Sequence, residues 1–126
     1  MTPVSRHVML LGCALAAAAV RPDTGWAHAV VTHASLRDTT IVAGAASEAR
    51  LEFNSAIEAK LTKLTLIDDK GAERALELAP SEHPPNVLVV SLPALAVGHY
   101  ALKYKVLAAD GHVTESVLRF EVTAPK

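Results

Sequence analysis

The chain has one cysteine in 126 residues, Cys13, so no intrachain disulfide is available to staple it. Aromatic residues make up only 4% of it, which leaves few rings for stacking on bases or sugars. Neither sign of charge dominates: 12 basic and 13 acidic side chains give a net charge of -1 and a pI near 6.6. With no basic stripe either, the surface offers no general field for a phosphate backbone, and nucleic acid is excluded as a partner. The longest apolar run covers residues 8–20. That is short of the roughly 20 residues a membrane-spanning helix needs, and no later run is longer. A chain of this length is expected to form one domain.

The first segment reads as an address label. Arg6 and His7 precede the apolar run, and a more polar stretch, 21–27, ends Gly25-Trp26-Ala27. This is the layout of a cleaved secretory signal peptide, with small residues at the -3 and -1 positions. The stretch Leu10-Leu11-Gly12-Cys13 fits a lipoprotein site less well, because Leu11 is large and only residues 8–11 remain as apolar run before the cysteine. Cleavage after Ala27 leaves a domain of 99 residues, 28–126, with a net charge of -2. Cys13, Met1, Met9 and Trp26 depart with the leader, so the exported domain contains no sulfur. It must be held by its apolar core alone, and it has no thiol for nucleophilic or soft-metal chemistry.

Beyond residue 28 the pattern is that of strands separated by turn residues. Candidate strands cover 30–36, 48–53, 64–67, 75–78, 87–92, 100–106 and 118–122. Asp68-Asp69-Lys70-Gly71 marks a turn, and Pro80 and Pro84-Pro85 mark a loop. Only 56–61 invites a helical turn. About seven short strands without helix-length periodicity predict an all-β fold, an immunoglobulin-like sandwich or Greek-key β-barrel.

Five histidines remain in the exported domain: His28, His33, His83, His99 and His112. His28 becomes the first residue, so its α-amine and its Nδ1 form a chelate on one ion. In Asp110-Gly111-His112 an i, i+2 spacing in extended chain points a carboxylate and an imidazole the same way. Together His28, Asp110 and His112 offer three nitrogens and one oxygen, a donor set suited to the tetragonal geometry of Cu(II). The blander reading is that His28 is an accident of cleavage and that Asp-Gly is an ordinary turn dipeptide. Whether the two halves of the site meet depends on the first and last strands ending at the same pole.

The other polar residues have plainer readings. His33 lies five residues from His28, hence on the opposite face of a strand; His83 and His99 read as solvated loop residues. Glu52 is either a hydrogen-bond acceptor for a ligand histidine or the exposed face of its strand. Tyr100 and Tyr104 read as core.

The chain after the leader resembles the CopC family of periplasmic copper-binding proteins over essentially its full length. The resemblance rests on His28-Ala29, Arg50-Leu51-Glu52-Phe53-Asn54, Lys63-Leu64-Thr65-Leu66-Ile67-Asp68, Gly98-His99-Tyr100-Ala101-Leu102-Lys103-Tyr104, Ala108-Ala109-Asp110-Gly111-His112 and Phe120-Glu121-Val122. It implies a small β-barrel in the periplasm that holds Cu(II) through His28, Asp110 and His112. The donor set of His28, Asp110 and His112 makes a non-enzymatic role in copper homeostasis or resistance the leading expectation, with an inner-membrane copper transporter or a copper-receiving protein as candidate partner. Two departures stand out. Ser35-Leu36-Arg37-Asp38 replaces the Ser-Pro-Ala segment of many members, and the methionine-rich Cu(I) segment of some members is absent.

Two rival functions follow from the same residues. A copper-dependent polysaccharide monooxygenase also uses an N-terminal histidine beside a second one. Only Phe53, Tyr100, Tyr104 and Phe120 would serve sugar stacking here, and 99 residues leave little area for a glycan surface. A metal-free sandwich acting as an interaction module is the other rival, and it predicts no response to copper.

Overall fold

A computed structural model describes residues 29–126. The proposed leader and His28 lie outside the described residues. The elements run β1 (Val31–Ala34), α1 (Ser35–Asp38), β2 (Ile41–Val42), β3 (Ser47–Phe53), a 3-10 turn (Ala59–Leu61), β4 (Lys63–Ile67), β5 (Glu73–Leu78), β6 (Val87–Leu92), β7 (Gly98–Leu107) and β8 (Val113–Thr123). Their lateral order is β1-β3-β6-β5-β4-β7-β8-β2. The sheet folds over at β5, whose residues 73–76 pair with β4 and whose residues 77–78 pair with β6. Two facing layers result, the all-β sandwich that the alternation predicts.

The alternation decides what lies between the layers. Ala49, Leu51 and Phe53 of β3, Leu64 and Leu66 of β4, Leu102, Tyr104 and Val106 of β7, and Leu118, Phe120 and Val122 of β8 are all buried. Phe53 meets Tyr104 edge to face, with centroids 5.7 Å apart, so the two layers interlock at an aromatic pair. Strand β6 reads as a continuous apolar run because Val87 to Val90 are buried on both faces, Val87 and Val89 forming a small second cluster with Ala79. Tyr100 is half-buried rather than core: it stacks on Phe120, and its hydroxyl donates to the Ala96 carbonyl at 2.8 Å.

Three features differ from the pattern-based reading. The first strand ends at Ala34, and residues 35–38 turn as α1, which buries Leu36 and carries the chain from the edge of one layer to the edge of the other. There β2, two residues long, pairs in parallel with the end of β8. It is the eighth strand and too short to show a period. Strand β8 begins at Val113 and not near Leu118; residues 113–117 are mostly exposed on both faces, so no alternation marks them.

Candidate metal centre

Asp110, Gly111 and His112 form the turn between β7 and β8. Ala108 closes it, with its N–H donating to the His112 carbonyl at 2.8 Å and its carbonyl accepting from Gly111 N–H at 2.9 Å. Gly111 has φ of +92°, a left-handed conformation that glycine adopts without a Cβ penalty. Asp110 Oδ1 accepts the His112 backbone N–H at 3.1 Å, and His112 Nδ1 lies 3.2 Å from the same oxygen. The carboxylate and the imidazole are therefore brought together by a side-chain-to-backbone turn, not by the two-residue repeat of extended chain. Both side chains are about half exposed. The Asp110 carboxyl is held below its ordinary value of 3.8, foremost by the His112 N–H and also by the imidazole itself.

Other segments converge on this pole. The connection after β3 reaches the turn through a bridge between Ile57 and Ala108, through Glu58 N–H to the Leu107 carbonyl (2.9 Å), and through Ala109 N–H to the Ala56 carbonyl (3.0 Å). Ile57 N–H also donates to the Pro85 carbonyl at 2.9 Å, tying in the loop before β6. The described chain begins here too. Val31 pairs with Phe53, and Asn54 clamps Val30 at both ends, its backbone N–H donating to the Val30 carbonyl at 3.0 Å and its Oδ1 accepting the Val30 N–H at 2.9 Å. Sequence reading missed this role of Asn54. A polar residue immediately after a strand, where the alternation stops, was its only signal.

The remaining candidates separate. His33 Nε2 is 2.6 Å from Asp38 Oδ2 and its Nδ1 is 3.5 Å from Glu52 Oε2, while Glu52 also meets Arg50 at 3.3 Å. Glu52 thus does face a histidine, but that histidine belongs to a surface ion cluster on β1, α1 and β3. His83 is half-buried and bonds to Ser81 Oγ at 3.0 Å. His99 lies within β7 opposite Glu121, at the far pole, where it borders an open groove of about 620 Å³ with Asp68, Asp69, Tyr100 and Arg119. Among the described residues no group of three or more His, Cys, Asp or Glu side chains is arranged to hold a metal ion. Asp110 and His112 are the two that the turn itself brings together.

Comparison with known proteins places this architecture. The crystal structure of CopC from Methylosinus trichosporium OB3b superposes with a TM-score of 0.64 at 28% identity, covering 79% of this chain and 97% of that one. Two structures of PcoC, a copper resistance protein from Escherichia coli, superpose with TM-scores of 0.54 and 0.53 at 21% identity. They cover 75% and 76% of this chain and 99% of each of theirs, a likeness of fold alone. No curated protein matches the chain. A family model of the CopC domain matches residues 31–123, from the first residue of β1 to the last of β8. The chain belongs to the CopC family.

Proposed function

We propose that this chain is an exported, non-enzymatic Cu(II)-binding protein of the periplasm that sequesters or carries copper. Residues 1–27 are its cleaved signal peptide and residues 28–126 its working domain. The ion is held by the α-amine and Nδ1 of His28, the carboxylate of Asp110 and the imidazole of His112. The observation that carries the reading is the Asp110–His112 turn at the pole where β1 starts. Its two donor groups lie 3.2 Å apart. Two adjacent corners of a metal centre with bonds near 2.0–2.1 Å are about 2.9 Å apart, so a small adjustment admits an ion.

The donor chemistry supports Cu(II) in particular. Nitrogen and oxygen donors without sulfur suit tetragonal Cu(II), and the mature domain has no methionine or cysteine for Cu(I). One of the two PcoC structures is described as that of a methionine-rich protein, a feature this chain lacks. For the carrier role, the partner proposed is a copper-receiving protein or an inner-membrane copper transporter. No helix of the described residues is long and apolar enough to cross a membrane.

The test is titration of the processed protein with Cu(II), followed by electron paramagnetic resonance. One tight equivalent with nitrogen hyperfine structure is expected, and it should vanish when a single extra residue is left before His28. Tight binding that survives this extension refutes the α-amine as a ligand.

A further inference from the structure

The two lateral edges of the sandwich are finished differently. Strand β1, at one edge, has the devices that stop edge-to-edge pairing. It is four residues long, has a register irregularity between Val31 and His33, and is flanked by the charged cluster of His33, Asp38, Arg50 and Glu52. Strand β8 is eleven residues long and regular, and the charges of its open part, Glu115 and Arg119, are of opposite sign. Strand β2 pairs with it only at Val122 and Thr123, and the segment after α1 lies beside Glu121. Among the described residues, no strand pairs with the outer edge of 113–119. The inner edge pairs with β7 in unbroken register over ten residues, so the strand is straight and fully formed. Its open part reads Val113-Thr114-Glu115-Ser116-Val117-Leu118-Arg119, with no proline, lysine or bulge. Val113 and Val117 are 52% and 43% exposed.

We propose that this edge pairs with the same edge of a second copy, antiparallel, about a twofold axis at Val117. The sequence is complementary to itself in that register. Val117 meets Val117 of the second copy at the centre, Glu115 lies directly opposite Arg119 of the second copy, and Arg119 opposite its Glu115. Glu115, Val117 and Arg119 alternate onto one face of β8 and all three are exposed. Arg119 has no ion pair among the described residues, and Glu115 only a 3.9 Å approach to Lys103. Shifting the axis to Glu115 sets like charges opposite each other, which disfavours that register. The joined strands extend one layer across both molecules. A contact of this length buries less than the roughly 1,200 Å² of a stable interface, so the dimer forms in a concentration-dependent manner. The inference is independent of copper.

Sedimentation velocity of the protein over a range of concentrations, with charge-reversed variants, tests both the dimer and its register. Glu115→Arg and Arg119→Glu each place two like-charged pairs across the axis, and each should weaken self-association by about tenfold or more. An equimolar mixture of these two variants restores opposite charges at both pairs and should dimerise like the native protein. Val117→Cys should form a disulfide or a short bismaleimide cross-link to itself. The unmodified chain is the control for any link through Cys13. A native protein that stays monomeric at every concentration, a mixture that fails to recover association, or the absence of a cross-link through residue 117 overturns the proposal. A monomer whose β8 edge is instead protected by an added partner protein counts as the same refutation.

Discussion

The two poles of the sandwich carry the same turn device with different outcomes. At the far pole Asp68 begins the β4–β5 turn, its Oδ1 accepting from Lys70 N–H and Ala72 N–H, both at 2.9 Å, with Gly71 at φ of +81°. At the near pole Asp110 begins the β7–β8 turn, accepts one backbone N–H, and is followed by Gly111 at positive φ. In each case a carboxylate shapes the turn and a glycine takes the left-handed position. The turns differ in length, with glycine third after Asp68 but first after Asp110, and in the residue that follows the glycine. Ala72 adds nothing, whereas His112 turns its imidazole to the carboxylate. The near-pole turn thus sets a carboxylate beside an imidazole at the end of the sandwich where β1 starts.

The two poles should differ most in the effect of removing His112. His112→Ala should weaken Cu(II) binding by more than about 100-fold, because loss of a group that merely orients a ligand already costs 10–100-fold. Calorimetric titration measures this directly. In the native protein, free copper at 100 times the dissociation constant should stabilise the fold by about 2.7 kcal/mol, seen as a higher melting temperature. In His112→Ala that increment should vanish while the metal-free melting temperature stays close to native, since the side chain is exposed.

A smaller effect separates the two aspartates. Asp68→Ala removes an acceptor for two backbone N–H groups and should cost about 1 kcal/mol of stability by denaturant unfolding, with copper affinity unchanged. Asp110→Ala should lose copper affinity, at a smaller cost in metal-free stability because it removes an acceptor for one backbone N–H and not two. Equal copper losses in both variants would mean that the effect passes through the fold and not through the site.

The smallest effect concerns protons. The Asp110 carboxyl is held below 3.8 chiefly by the His112 N–H, so its stabilising contribution is complete above the unfolded value and is lost as pH falls through the lower folded value. Carboxyl carbon shifts followed by NMR in the metal-free protein should place its midpoint below that of an ordinary aspartate. A midpoint at or above 3.8 contradicts the turn geometry. Copper affinity in the proposed site is expected to fall in acid, because its ligands must be deprotonated to bind.

How much of this was legible in the sequence depends on burial. Strands β3 and β7 and the end of β8 have one face in the core, so their apolar residues alternate and the strands can be read directly. Strand β2 and α1 are held by tertiary contacts over two and four residues, too few for a period. The first half of β8 has solvent on both faces, and the burial contrast that writes a pattern is missing. At the site, Asp110 and His112 were legible as donor types with a turn glycine between them. Their convergence with the start of β1 was not, because it depends on pairings between residues far apart in sequence, such as Val31 with Phe53 and Ile57 with Ala108.

The clamp of Asn54 on Val30 has a thermodynamic consequence. Each residue fixed on binding costs roughly 1–2 kcal/mol of backbone entropy. A ligand at the end of a loose arm forfeits that sum for every residue the ion must immobilise. Position 28 is two residues from Val30, whose N–H and carbonyl are already committed to Asn54. If His28 is a ligand as proposed, the fold bears much of the ordering cost before any metal arrives, and Asn54→Ala should return that cost to the binding step without touching a proposed ligand.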